Sequence, residues 1–381
     1  MVADRAFLKG GRLGAGFWRL EAEIARILAA LAATGAMRVE PAALQPAELL
    51  LDLYGEDIRA RAFVTEDEGA ELMLRPDFTV PIVRLHMAAG AEPARYVYCG
   101  PVWRRQAAGS ERPREYLQAG VEVFDGTAPS ERDAEVLGLI LDALGDAPVR
   151  LVTGDMGLVL AAIDGLETTE ARRRALRRHV WRPHRFHALL ERFGPLHGAE
   201  AARRAEMLAA AGEGRVAELI ARAGHRVGKR SAGEIAERVA GLAAEARTPA
   251  LPQDAVDRLE AVLAVTGSAV EALGQLRGLA RETPGLAAAV DRFEARLDAC
   301  ARRGIAPEGL AFEAGFGRTT LEYYDGFVFG ALAPDRPDLP PIASGGRYDA
   351  LTRALGQGRG IPAVGGIVRP EALLALAGGA P

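Results

Sequence analysis

The stretches LRPDFTVPIVRLHM at residues 74–87 and ARYVYCGPVWRRQAAGSERPREYLQAGVEVFDG at residues 94–126 decide the fold. The second stretch predicts two long strands joined by a polar loop at 106–113, where Gly109 and Pro113 favour a turn. Because successive side chains of a strand point to opposite faces, the second strand has one apolar face and one polar face. The apolar face is expected to pack in the core, which leaves the polar face as the candidate site.

The polar face of this hairpin combines large polar side chains with two glycines. On the second strand it carries Gln118, Gly120 and Glu122, and on the first strand Tyr98 and Gly100 have the matching parity. Since each glycine removes a side chain from the middle of the face, the pattern predicts room for a bound molecule. The alternative is an ordinary solvent-facing sheet surface. A solvated face is usually richer in lysine and threonine, so the composition favours a lined pocket.

The sequence around the hairpin predicts further helices and strands. Residues 18–34 place apolar side chains on one helical stripe, and Gly35 stands where a helix would end. Residues 79–87 predict a helix, and the expected cap is Asp77 or Thr79. Further along, the patterns predict a helix at 130–144 and strands at 149–153, 342–344 and 364–368. Between about 155 and 303 the pattern is almost entirely helical, as expected for an insertion between two halves of a sheet domain.

Composition sets limits on the class of protein. The chain of 381 residues has a formal net charge of -4, which gives no overall attraction to nucleic acid or to anionic membrane. Two cysteines, Cys99 and Cys300, are too few for a zinc site of their own. No signal peptide and no membrane span is expected, so the sequence predicts a cytoplasmic protein with neither cofactor nor metal.

A basic segment, ARRRALRRHVWRPHRFH at residues 171–187, lies inside the helical region. Its arginines are interleaved with Trp181 and Phe186, a pattern that also occurs in phosphate-binding and RNA-binding segments. The alternative, which the sequence favours, is a solvated helix face. His184 and His187 have a spacing that a metal site could use, but zinc motifs are usually richer in ligands.

The motifs RPDFT, YCGPVWR and EYLQAGVEVF, with the later EYYDGFVFGA and ASGGRYDAL, resemble class II aminoacyl-tRNA synthetases and most closely histidyl-tRNA synthetase. The resemblance implies an α+β fold, in which an antiparallel sheet is flanked by helices and interrupted by a mostly helical insertion. It divides the chain into a first core part at 1–155, an insertion at 156–303 and a second core part at 304–381. It also implies a dimer interface near Pro41.

Three departures distinguish the chain from an active synthetase of that family. Ala372 stands where the resemblance expects an arginine that clamps the γ-phosphate of ATP. Arg369 lies three residues earlier, on the strand side of Pro370, and therefore does not simply replace that arginine. Thr319 matches the position of another activating arginine, with Arg318 one residue away, and a shift of one residue reverses the face of a strand. The third departure concerns the anticodon-binding domain that follows this core in a synthetase of the family, which we do not expect here.

Within the family, these departures make the chain resemble most the synthetase-like regulatory subunits of ATP phosphoribosyltransferase. The resemblance implies a non-catalytic protein that binds L-histidine, forms a homodimer within a hetero-oligomer, and has the short-form catalytic subunit as its partner. A histidine-activating enzyme and an RNA-binding module are the alternatives. The implied histidine-binding residues are Asp77 and Thr79 for the amino group, Arg104 for the carboxylate, and Gln118, Glu122, Tyr323 and Tyr324 for orientation and the imidazole, with Arg318 and Tyr348 as secondary candidates.

Overall fold

The predicted hairpin lies within a nine-stranded sheet. A computed structural model describes residues 11–47, 61–107, 109–110, 112–195, 198–222, 231–246, 248–283, 285–318 and 323–378. Strand β5 (Ala94–Trp103) pairs antiparallel with β6 (Glu115–Phe124), so that Tyr98 lies opposite Gly120 and Gly100 lies opposite Gln118. The predicted loop and the predicted shared face of the two strands are therefore confirmed.

The large sheet is mixed but mainly antiparallel, with parallel pairs only between β1 and β5 and between β7 and β9 among the described strands. Its strand order is β1-β5-β6-β12-β11-β10-β7-β9-β8, and a separate three-stranded sheet has the order β2-β4-β3. The remaining strands are β1 (Met37–Arg38), β2 (Leu44–Pro46), β3 (Val64–Asp67), β4 (Ala70–Leu74), β7 (Arg150–Asp155), β8 (Thr266–Ser268), β9 (Ala311–Glu313), β10 (Phe327–Leu332), β11 (Ala343–Arg347) and β12 (Ala363–Val368).

Helices cover the sheet and fill most of the segment between β7 and β9. The first four are α1 (Gly14–Leu31), α2 (Thr79–Ala89), α3 (Pro129–Leu144) and α4 (Met156–Asp164). They are followed by α5 (Glu170–His179), α6 (Pro183–Phe193), α7 (Gly198–Gly212), α8 (Val216–Arg222), α9 (Ala232–Ala246), α10 (Gln253–Leu263), α11 (Ala269–Ala280), α12 (Ala287–Arg302), α13 (Asp349–Leu355) and α14 (Pro370–Leu376). None of the helices described here is long and apolar enough to cross a bilayer.

The apolar face of the hairpin packs against α1 and α3. Val121 and Val123 are fully buried, and so are Ile27 of α1 and Ile140 of α3. Burying one such side chain stabilises the fold by about 1.5 to 3 kcal/mol. The helical stripes and the alternating strand thus meet in one core, as their sequence periods predict.

One local prediction is corrected and another is narrowed. The strand predicted at 342–344 continues to Arg347, so Gly345 and Gly346 lie inside β11 and do not end it. Phe78, the residue before α2, has no side-chain cap, and Thr79 is the first helical residue, so of the two predicted caps only Asp77 accepts from a first-turn nitrogen. The Oδ1 atom of Asp77 lies 3.4 Å from the backbone nitrogen of Val80, which is long for a hydrogen bond.

In the described part of the segment 156–303, the regular elements are helices apart from β8, which pairs with β9 in the large sheet. Its last helix, α12, packs against α3 of the core, where Arg296 lies 3.4 Å from a carboxylate oxygen of Asp133. The division of the chain into two core parts and an insertion stays a prediction.

Candidate functional site

The centre of the candidate site is the carboxylate of Glu122, which is fully buried. One of its oxygens, Oε1, accepts hydrogen bonds from the hydroxyls of Thr79 at 2.8 Å and of Tyr98 at 3.0 Å. The other, Oε2, accepts from the hydroxyl of Tyr348. The donors come from the start of α2, from β5 and from the residue before α13. A single side chain therefore joins three separate parts of the chain.

A glycine on the neighbouring strand explains how the side chain of Glu122 fits. On β12, Gly365 pairs with Glu122, and a Cβ atom on this glycine would lie 1.6 Å from the Oε2 atom of Glu122. No side chain other than hydrogen can occupy that position while the carboxylate stays where it is. The glycine thus supplies the space in which the buried carboxylate lies.

Burial determines the acidity of this group. It raises the pKa of Glu122 to about 7, while the hydrogen bonds from Tyr348, Thr79 and Tyr98 lower it and the nearby Asp77 raises it further. A carboxyl group with this pKa exchanges a proton close to neutral pH, where imidazole also titrates.

The elevated pKa of Glu122 predicts a specific dependence of stability on pH. Because the folded state holds the proton more tightly than the unfolded chain, this group stabilises the fold below about pH 4.5, and the contribution is lost as the pH rises through about 7. The difference between about 7 and the ordinary 4.5 corresponds to about 3 kcal/mol. We expect urea unfolding of Glu122→Gln to show no corresponding loss of stability as the pH rises. The exposed-site variant Glu206→Gln should follow the wild type, and parallel profiles for all three would contradict the assignment.

Asp77 raises the pKa of Glu122 and Glu122 raises that of Tyr324, so both residues lie near Glu122, whereas Gln118 lies four residues earlier on the same face of β6. Asp77 and Gln118 are buried, and the Oε1 atom of Gln118 has no hydrogen-bond partner among the described residues. Tyr323 and Tyr324 are each 7% exposed, with ring centroids 4.8 Å apart. The Tyr323 ring also lies 6.1 Å from that of Tyr348. The structure thus brings together two acids, an amide and several phenols.

The arginines are distributed differently. Arg104 is half-buried, and its Nε atom donates to the carbonyl of Pro76 at 3.0 Å, next to Asp77. Arg318 packs on the helical segment, where its Nε atom donates to the carbonyl of Val180 at 2.7 Å. We therefore place Arg104 at the site and Arg318 away from it, which corrects the assignment of Arg318 as a candidate. Thr319 lies outside the described residues.

The expectation that the hairpin glycines leave room for a ligand is wrong at the glycines themselves. A Cβ atom on Gly120 would lie 2.5 Å from the phenol of Tyr98, and one on Gly100 would lie 2.9 Å from both Arg75 and Phe78. The chain's own side chains therefore occupy the space above both glycines. Any ligand at this face contacts that layer of side chains and not the strand backbone.

Two residues at the site, Tyr98 and Arg369, are not among the predicted histidine-binding residues. The strand period places Tyr98 on the correct face, but its hydrogen bond to Glu122 follows from its position opposite Gly120. Arg369 lies next to the site: burial lowers its pKa, its hydrogen-bond partner Tyr116 raises it, and Arg104 and Tyr324 are close enough to lower and raise it, respectively. Its guanidinium donates to the carbonyl of Pro341. No local pattern around Arg369 points to this position.

Among the described residues, no group of three or more His, Cys, Asp or Glu side chains is placed to hold a metal ion. The site instead offers a carboxylate, an amide, hydroxyls and a cationic end near Arg104. Such a set suits a small zwitterion with one further polar group.

Comparison with known proteins agrees with this description. A sequence model of the family described as histidyl-tRNA synthetase matches residues 12–248 and 234–373. An ATP phosphoribosyltransferase regulatory subunit of Brucella canis is 35% identical over 354 residues, which cover 89% of this chain and 93% of the relative.

Solved structures have the same fold. An ATP phosphoribosyltransferase regulatory subunit/histidyl-tRNA synthetase of Bacillus halodurans has a TM-score of 0.70 at 22% identity, covering 97% of this chain and 82% of the other. A histidine-tRNA ligase subunit of Alicyclobacillus acidocaldarius has a TM-score of 0.58 at 26% identity, covering 98% and 97%. The predicted fold class, an α+β sheet of the class II synthetase type, is confirmed.

Proposed function

The chain belongs to the family of histidyl-tRNA synthetase-like regulatory subunits of ATP phosphoribosyltransferase, and on that premise we propose that it binds L-histidine without activating it. In this proposal it acts in the cytoplasm, in histidine biosynthesis, where it assembles with the short-form catalytic subunit and carries the feedback signal to it. The observation that carries the proposal is the buried Glu122 with its three hydroxyl donors.

The polar groups of the site match the groups of histidine. Asp77 and Thr79 would hold the ammonium, and Arg104 would hold the carboxylate. An ionised carboxylate offers about four acceptor positions, and three of those on Glu122 are already used. One position therefore remains for an imidazole N–H, with Gln118, Tyr323 and Tyr324 around it.

The same region is poorly suited to activating an amino acid with ATP. Positive groups must stabilise the charge that develops on the phosphates. Ala372, at the position where the resemblance expects an arginine, is an apolar side chain that is 7% exposed on α14. Arg369 is engaged with a backbone carbonyl. These features support a subunit that binds histidine and does not consume it.

A histidine-activating enzyme is the second candidate, and one observation favours it. Arg104 lies close enough to Arg369 to contribute to the lowered pKa of Arg369, so the site has two neighbouring guanidiniums at one end. Two such groups are able to hold a phosphate. Histidine-dependent exchange of pyrophosphate into ATP by the purified chain would favour this candidate and contradict the non-catalytic one.

Exposed apolar side chains near the start of α1 and on the edge strand β1 support the proposed homodimer. Leu13 is 83% exposed and Trp18 is 72% exposed at the start of α1, and Met37 is 67% exposed on the edge strand β1. Helix α1 packs against β5, which is the neighbour of β1. Large exposed apolar groups at one edge of a sheet are typical of a surface that another protein covers. A second copy of this chain is the occupant that we propose.

Feedback requires that histidine bind the two states of the assembly with different affinities. We expect the short catalytic subunit to transfer the phosphoribosyl group efficiently only when this chain is added, and histidine to reduce that rate. A coupling of about 1 to 3 kcal/mol, or roughly 5-fold to 150-fold in affinity, is typical of such systems. The measurement is phosphoribosyl transfer by the mixture, with and without histidine.

The control is the Glu122→Gln chain, which keeps the shape of the side chain and removes its charge. It should still support transfer, but with a weaker response to histidine. A mixture in which this chain neither raises transfer nor confers inhibition by histidine would refute the proposed function.

A further inference from the structure

The basic segment is divided by the structure into two sets of arginines. Arg172 is buried and donates to Glu245 at 2.8 Å and to the carbonyl of Pro249 at 2.7 Å. Arg173 and Arg177 form ion pairs with Glu170. These three arginines therefore have carboxylate partners.

The second set surrounds the turn between α5 and α6. Arg174, Arg178 and Arg185 are exposed, and none of them has a carboxylate partner within the part of the chain that the structure describes. Burial, followed by the charges of Arg182, Arg178 and Arg185, lowers the pKa of His179, which shows that these arginines lie close to it. Among the described residues, the positive charges of Arg174, Arg178 and Arg185 at this turn therefore have no carboxylate partner.

Arg318 adds a further charge from the core side. Its Nε atom donates to the carbonyl of Val180 in the middle of the turn, and its guanidinium lies 4.9 Å from the centroid of the Phe186 ring. Burial lowers the pKa of Arg318, because no anion among the described residues compensates its charge. We call the turn His179–Arg182 together with Arg174, Arg178, Arg185 and Arg318 the arginine corner.

Three nitrogen atoms of the arginine corner are buried without a hydrogen-bond partner among the described residues. They are Nη2 of Arg318, Nε1 of Trp181 and Nδ1 of His179. The guanidinium and indole groups can only donate, so each requires an acceptor. A buried donor without an acceptor destabilises the folded state. The corner thus combines excess positive charge with donors that lack acceptors.

From these contacts we propose that the arginine corner binds a small, multiply charged oxyanion of the phosphoryl type. Guanidinium groups donate pairs of hydrogen bonds to phosphate oxygens, and the several uncompensated charges favour a polyanion over a single carboxylate. Two of the unpartnered atoms belong to the turn itself, and Arg318 reaches the turn through the carbonyl of Val180. Because these atoms are buried, we expect a compact anion to reach them more easily than the backbone of a nucleic acid does. This inference does not depend on the proposed function.

Inorganic pyrophosphate is the probe, titrated into the full chain by calorimetry at low ionic strength. We expect saturable binding at one site, and a loss of about tenfold or more in affinity in Arg178→Gln/Arg185→Gln, because each charge-assisted hydrogen bond is worth about that factor. Trp181→Phe, which removes one donor and keeps the ring position, should weaken binding severalfold.

The matched controls remove two guanidiniums or one indole at positions outside the arginine corner. Arg281→Gln/Arg292→Gln changes the net charge equally at two exposed arginines, and Trp103→Phe removes another indole donor. Both should bind pyrophosphate like the wild type. Equal weakening by the two arginine pairs, no saturable binding by a folded wild type, or a single-stranded RNA that binds the corner more tightly than pyrophosphate would overturn the inference. Thermal melts establish that each variant is folded.

Discussion

Replacing Gly365 with alanine is expected to destabilise the chain by at least about 4 kcal/mol and to remove the candidate histidine site. The new Cβ atom would lie 1.6 Å from a carboxylate oxygen of Glu122 and 3.0 Å from the carbonyl of Val121. Overpacking alone costs about 1 to 3 kcal/mol. Displacing Glu122 would also leave the hydroxyls of Thr79, Tyr98 and Tyr348 without their acceptor, at about 1 to 3 kcal/mol for each buried group that stays unpaired.

Urea unfolding and a histidine titration measure the two parts of this prediction. Gly274→Ala is the control, because nothing lies within 4 Å of a Cβ atom at that helical glycine. It should be neutral or slightly stabilising.

A double variant separates the clash with Glu122 from a general effect of the methyl group. In the Glu122→Ala background, Gly365→Ala should cost far less than in the wild type, which is a coupling that a double-mutant cycle measures. Equal costs in both backgrounds would show that Glu122 is not the clashing group.

Local sequence patterns are sufficient to predict the elements and the two faces of the central hairpin. The two-residue period places Tyr98 and Glu122 on one face, and the pairing of Tyr98 with Gly120 follows from that register. The helical stripe of α1 is also predicted, and its Leu20, Ile27 and Leu31 are buried. Periods of this kind depend only on the burial of one face, so a single sequence contains them.

Contacts between segments that are distant in the sequence cannot be predicted from local patterns. Tyr348 and Glu122 are 226 residues apart, and nothing near either residue indicates the hydrogen bond between them. The glycines of the hairpin predict an open space, but the sequence does not state whether a ligand or the chain's own Tyr98 fills it. Arg318 likewise contacts Val180, 138 residues away, and its direction depends on where the helical segment packs.

The same reasoning explains why sequence patterns miss the most buried charges. Asp133 of α3, Asp155 at the end of β7 and Arg296 of α12 look like ordinary polar positions of their own elements. In the folded chain Arg296 is 4% exposed, and its Nη2 atom donates to Asp155 at 2.6 Å. Arg347 donates to Asp133 at 2.7 Å from the other side. This network connects α12 to β7, α3 and β11.

Arg296→Met is therefore expected to cost about 3 to 5 kcal/mol of the free energy of unfolding, because it removes one partner of a buried ion pair and leaves a carboxylate uncompensated. The methionine keeps much of the volume and can pack on the rings of Phe293 and Phe327, which the guanidinium now contacts at 5.3 Å and 4.6 Å. Loss of charge, and not loss of packing, is then the cause. Urea unfolding of the full chain provides the measurement.

Arg302→Met is the matched control, since Arg302 lies on the same helix with its side chain 60% exposed and pairs with Glu131 at the surface. An exposed pair of this kind contributes about 0 to 1 kcal/mol. Adding Asp155→Asn to Arg296→Met should recover part of the loss, because the new amide would carry no charge and its side-chain oxygen could still accept from the backbone of Gly157 at the start of α4. If Arg296→Met cost no more than Arg302→Met, or if Asp155→Asn made it worse, the network would not be the electrostatic link between the helical segment and the sheet.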